Sequence, residues 1–129
     1  MNALVTGASS GIGRDMARYL VKLGYKVFAV GRNKEKLSNL KEELGENVEI
    51  IEKDISTKEK CIELYEELKN ENIDFVINNA GFGVFGKFTE TNLEKEVNLI
   101  NTNITAVHTL TKLFLKDMIE IGKPILYYE

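Results

Sequence analysis

Apolar residues fall in short runs along this chain, and the runs alternate with stretches in which they recur every three or four positions. Residues 2–6 (Asn-Ala-Leu-Val-Thr) form an apolar run ended by a glycine cluster, Gly7, Gly11 and Gly13. This is the pattern of a buried strand breaking into a tight turn. From there Ile12, Met16, Leu20 and Leu23 keep helical spacing, and Gly24 stands where a helix C-terminus takes glycine. Residues 25–30 are β-branched and aromatic and predict a second strand, followed by Gly31-Arg32-Asn33 and a helix with Leu37, Leu40 and Leu44 on its apolar face. The alternation continues with a strand over 47–51 and a helix over 57–70. In that helix Cys61, Leu64, Tyr65 and Leu68 turn inward, and Ser56 or Thr57 is the expected cap. A fourth strand is expected over 73–77. Beyond the glycine-rich loop 81–86, the residues Val97, Ile100, Ile104, Val107, Leu110, Phe114 and Met118 predict one long amphipathic helix over about 93–121. Gly122-Lys123-Pro124 ends it, and 125–128 reads as the start of a fifth strand.

Strands that alternate with helices through short connections must run parallel, because a helical crossover returns the chain to the same end of the sheet. The expected fold class is therefore α/β, a doubly wound parallel sheet of about five strands. The 129 residues, 43% of them apolar, make one domain over 1–129, with no linker, low-complexity tract or repeat. Seventeen basic against 20 acidic residues give a net charge of −3, which offers nucleic acid or an anionic membrane no electrostatic hold. The single cysteine, Cys61, cannot form an internal disulfide, and the single histidine, His108, belongs to no cluster with metal-ligand spacing, so no metal is expected. The first apolar run is too short for a signal peptide or a membrane span, and the cytoplasm is the expected compartment.

Candidate chemistry concentrates in Thr6-Gly7-Ala8-Ser9-Ser10-Gly11-Ile12-Gly13, between the first strand and the first helix. Glycines there let the backbone turn sharply and approach a ligand. The helix start adds unpaired N–H groups and a positive dipole end, suited to a pyrophosphate. The spacing is Gly-x-x-x-Gly-x-Gly, distinct from the commoner Gly-x-Gly-x-x-Gly of dinucleotide-binding turns. Arg32, at the end of the second strand, occupies the place where an acidic residue would hold a ribose 2′-hydroxyl and an arginine would hold a 2′-phosphate.

With Asn78-Asn79-Ala80-Gly81 after the fourth strand, the glycine motif resembles that of the short-chain dehydrogenases/reductases, classical type, along the whole chain. The resemblance implies a Rossmann-like sheet with strand order 3-2-1-4-5 and a nicotinamide dinucleotide as cofactor, NADP before NAD. It implies cofactor contacts from Gly7, Ser9, Ser10, Gly11, Ile12 and Gly13, from Arg32, and from Asp54 and Ile55 near the adenine. Asn79, Ala80 and Gly81 would pass the adenosine ribose, Asn78 would be structural, and Asn101 would serve the proton relay as a catalytic residue. Ser10 stands where many NADP-preferring members place a second basic residue, and Arg14 could compensate only by pointing outward. His108 is expected to be packed or at an interface.

The family's serine and Tyr-x-x-x-Lys lie beyond the fifth strand, so the chain is expected to be the N-terminal half of such an oxidoreductase, cut at that strand and inactive as it stands. Tyr65-Glu66-Glu67-Leu68-Lys69 matches the motif by coincidence, on the apolar stripe of the third helix. Homo-oligomerisation through 97–118 or the free strand edge is expected, as in the family. A different class of function is a non-catalytic nucleotide-binding or interaction module, and a third reading is a non-functional remnant. The substrate is not named by these residues; Phe82, Phe85 and Phe88 offer an apolar wall at most.

Overall fold

The computed structural model describes residues 1–122 and 126–128. Five strands form one sheet in the order β3-β2-β1-β4-β5: β1 (Asn2–Thr6), β2 (Lys26–Gly31), β3 (Val48–Glu52), β4 (Ile73–Asn78) and the short β5 (Leu126–Tyr128). All pairings are parallel, with Leu4 opposite Phe28 and Val76, Phe28 opposite Glu49, and Ile77 opposite Tyr127. The expected sheet order is thus observed. Ile125, assigned to the fifth strand from the sequence, lies outside the described residues.

The helices are α1 (Gly11–Lys22), α2 (Lys34–Leu44), α3 (Lys58–Leu68), α4 (Leu93–Ile100) and α5 (Ala106–Ile121). Their boundaries have local causes. Asn33 and Thr57 accept hydrogen bonds from the N–H groups of Lys36 and Lys60, capping α2 and α3. A single 3-10 turn, Gly45–Asn47, takes up the residues before β3, which is why that strand begins at Val48 and not at 47.

Alternation along the strands divides the core into two layers. Ala3, Val5, Val27, Ala29 and Ile77 pack with Ala17, Leu20, Leu37 and Leu40 of α1 and α2. Leu4, Phe28, Val30 and Val76 face the other way, against Cys61, Leu64 and Leu68 of α3 and Leu110, Phe114 and Met118 of α5. Burying each large aliphatic or aromatic side chain contributes roughly 1.5–3 kcal/mol before entropy is counted. With both faces covered, the strands can be apolar almost throughout.

The long helix departs from expectation in the middle. Asn101–Thr105 forms a π turn between α4 and α5. Each π turn inserts an extra residue into the helical repeat and rotates the following side chains around the axis. As a result Ala106, Leu110, Phe114 and Met118 are buried, whereas Val97, Ile100 and Ile104, expected inward on the same stripe, are 48%, 49% and 60% exposed.

Candidate functional site

The strand ends that feed the crossovers of a doubly wound sheet leave a crevice where the strand order reverses. Here β1 lies between β2 and β4, and a cleft of about 810 Å³ opens over the C-terminal ends of the strands. Its lining includes Gly7, Ser9 and Ser10 from the turn after β1 and Ile12 from the start of α1, Gly31 and Arg32 at the end of β2, Asp54 and Ile55 after β3, and Asn79, Ala80 and Gly81 after β4.

The turn after β1 is shaped by two left-handed glycines, Gly7 (φ +65°) and Gly11 (φ +58°). Gly13 is buried behind the cleft, and a Cβ on it would overlap the Gly7 carbonyl and the Asn79 amide nitrogen. A Cβ on Gly7 would come within 2.9 Å of the Ala80 backbone. These contacts seat the turn directly on the 79–81 segment. Ser10, the N-cap of α1, makes no side-chain capping bond, and the first turn of α1 holds no acidic residue. Its N–H groups therefore have no side-chain acceptor and face outward with the positive dipole end.

Thr6 joins the two motifs. Its buried Oγ1 accepts the N–H groups of Asn79 (3.0 Å) and Ala80 (3.1 Å), while the Asn79 side chain donates to the Gly7 carbonyl (3.2 Å). Asn78 is buried and donates to Thr111 on α5 (3.3 Å), a strand-end anchor. The side of the cleft toward α2 is cationic, with Arg32, Lys34 and Lys36 along it. Arg14 does not line the cleft, and its Nε is buried without a partner.

Ten of the sequence-derived positions meet in the cleft: Gly7, Ser9, Ser10, Ile12, Arg32, Asp54, Ile55, Asn79, Ala80 and Gly81. Gly11 shapes its turn and Gly13 supports it from behind. Asn101 is not brought there. The π turn sets it half-buried on a separate shallow groove with Leu93, Asn98, Ser56 and Thr57. The residue that reaches the 79–82 segment is Asn103, two positions on. Its Oδ1 accepts the Phe82 N–H (3.0 Å) and its Nδ2 donates to the Phe82 carbonyl (2.8 Å). A Cβ on Gly81 would lie 2.8 Å from Asn103 Oδ1. Regular helical spacing could not single out Asn103, because the irregular turn decides which asparagine meets Gly81 and Phe82. Phe82 and Thr102 also line the cleft, while Phe85 and Phe88 stand exposed.

Tyr65 lies elsewhere. Its hydroxyl donates to Asp117 on α5 (2.7 Å), and its ring meets Phe114 edge-on at 5.2 Å. The bond to Asp117, with burial, pushes the phenol up to about 12, opposite to what a proton-transferring tyrosine needs near neutrality. Burial likewise pushes the Cys61 thiol up to about 11, which suits an inert core residue. His108 is exposed on α5. Among the described residues no helix is long and apolar enough to cross a membrane, and no three His, Cys, Asp or Glu residues group to hold a metal.

Comparison with known proteins agrees with this geometry. The family model for short chain dehydrogenase matches residues 1–124. The NADP-dependent 3-hydroxy acid dehydrogenase YdfG of Escherichia coli O6:H1 is 35% identical over 123 residues, 93% of this chain and 50% of that protein. Two solved structures superpose closely. The closed form of serine dehydrogenase complexed with NADP+ gives a TM-score of 0.90 at 33% identity, over 99% of this chain and 53% of that one. A metagenomic short-chain oxidoreductase in complex with NADP gives 0.92 at 30% identity, over 99% and 61%. The chain spans about half the length of the curated relatives it matches. With its glycine turn, its Asn-Asn-Ala-Gly segment and its sheet order all in place, the chain belongs to the short-chain dehydrogenase family.

Proposed function

We propose that these residues form the NADP-binding half of a short-chain oxidoreductase. The observation that carries the reading is the seating of an uncapped, glycine-turned helix start against the 79–81 segment, with Arg32 at the rim of the same cleft. The outward N–H groups of α1 suit a pyrophosphate, and the 79–81 segment seated beside them suits the adjoining ribose. Asp54 and Ile55 suit the adenine end. The Arg32 guanidinium can fork onto a 2′-phosphate, which favours NADP over NAD. When bound, the nicotinamide supplies hydride chemistry toward a carbonyl or alcohol carbon.

The 129 residues offer Tyr65-Lys69 as their match to Tyr-x-x-x-Lys, and that pair is directed to Asp117 and Glu66. Cofactor binding, not turnover, is therefore the activity we assign to them alone. The exposed face of α4 and the π turn is the surface we assign to self-association. One buried cysteine fits a reducing compartment, and we assign the protein to the cytoplasm.

A thermal melt with and without NADPH tests the reading. A ligand at 100 times its Kd adds about 2.7 kcal/mol, which moves the midpoint by several degrees. Arg32→Ala should reduce that shift for NADPH and leave the smaller shift with NADH unchanged. No shift with either nucleotide would overturn the proposal.

A further inference from the structure

Lys53 follows β3 directly, and its side chain is only 6% exposed although it carries an ammonium. Its N–H donates to the Gly31 carbonyl at the end of β2 (2.9 Å). Its Nζ meets Glu63 (3.1 Å) and Glu67, one turn apart on α3, and Glu63 is shared with Lys60 (3.2 Å). Burial disfavours the charged ammonium, but the bonds to Glu67 and Glu63 outweigh it and raise the pKa above its ordinary value, so the cation persists at neutrality. A single residue thus joins the ends of two strands to the face of a helix.

The turn that Lys53 opens runs straight into the cleft. Asp54 Oδ1 accepts the Ser56 N–H (3.0 Å), the Ile55 carbonyl accepts the Cys61 thiol (3.4 Å), and Thr57 caps α3. Both Asp54 and Ile55 line the cleft, and Lys53 forms part of its wall. The turn thus runs directly into the start of α3 and is bonded to its Cys61, so its place over the cleft follows where α3 sits relative to β3, and Lys53 is an ionic tie between them.

We propose that Lys53 is a positioning residue for the adenosine end of the cleft, holding α3 against the end of β3 so that Asp54 and Ile55 keep their place. This rests on the nucleotide-binding reading above. Two variants separate the tie from the charge. Lys53→Met fills the same space without an ammonium. Its former partners Glu63 and Glu67 are 50% and 44% exposed and stay hydrated, so no buried charge is orphaned. The double variant Glu63→Gln/Glu67→Gln keeps the lysine and removes its anchors.

The full chain and both variants are titrated calorimetrically with ADP-ribose and 2′-phospho-ADP-ribose, and amide exchange and melting are recorded without ligand. Both variants should bind both ligands about tenfold more weakly. The ratio between the two ligands should not change, and exchange should quicken at 54–57 while the β1 and β4 amides keep their protection. Lys53→Arg, which can still reach both carboxylates, should restore affinity. Loss confined to the 2′-phosphorylated ligand would mean direct phosphate contact and overturn the inference. So would unchanged binding in either variant, or faster exchange spread over the whole sheet. If the wild-type chain binds neither ligand, the reading of the cleft itself falls, and this inference with it.

Discussion

At the scale of single residues, Thr6 is the point on which two distant motifs meet. Its buried oxygen takes two backbone N–H groups from the segment after β4, and valine would keep the shape while leaving both donors without a partner. An unsatisfied buried donor costs about 1–3 kcal/mol. Thr6→Val should therefore lower the urea midpoint at an unchanged m value, equivalent to about 2 kcal/mol, whereas Thr6→Ser should stay close to wild type. Equal stability of Val and Ser variants would show that the bonds contribute little. Gly13 makes the opposite kind of demand, for absence of a side chain. Gly13→Ala forces a methyl into the Gly7 carbonyl and the Asn79 amide and should cost about 1–3 kcal/mol, together with the NADPH-induced melting shift. Both residues were legible in the sequence through their motif. What the motif could not state is that Gly13 works from behind the cleft and never meets its open space.

At the scale of elements, the β–α alternation was readable because continuous apolar runs of strand length took turns with stretches repeating at helical spacing, and caps such as Asn33 and Thr57 stood where the helices begin. The π turn at Asn101–Thr105 was not readable, since the periodicity of Val97, Ile100 and Ile104 continues smoothly into that of Val107 and Leu110. The family resemblance pointed to Asn101, while the structure turns Asn103 onto Phe82. Asn103→Ala should weaken NADPH binding through a loosened 81–82 segment and lower stability by about 1 kcal/mol, as expected for hydrogen bonds near the surface. Between elements, the Tyr65–Asp117 bond ties α3 to α5. Since the folded state raises the Tyr65 pKa from 10.0 to about 12, its contribution is complete below pH 10, falls as pH rises, and is gone above about 12. Stability measured from pH 9 to 12 should fall less steeply in Tyr65→Phe than in wild type. Parallel curves would leave the bond without thermodynamic weight.

At the scale of the whole molecule, both sheet faces are covered, yet one surface is strongly apolar. Leu93, Val97, Ile100 and Ile104 stand exposed along α4 and the π turn, with Phe85 and Phe88 exposed on the preceding loop. From the sequence, Val97, Ile100 and Ile104 share one stripe with Leu110 and Phe114, of which only the last two are buried, because spacing reports that side chains share a face and not what that face meets. An exposed apolar patch of this kind marks an interaction surface. Under the proposed self-association, the wild-type chain should show a concentration-dependent increase in mass by analytical ultracentrifugation, and Val97→Glu with Ile100→Lys should return it to the monomer. Both positions are about half exposed, so the substitutions fall among surface changes that alter stability by about 0.5 kcal/mol or less. The melting temperature of the dilute chain should then hold. A wild-type chain that stays monomeric at every concentration would end this proposal, and it would leave the exposed stripe to a partner of another kind.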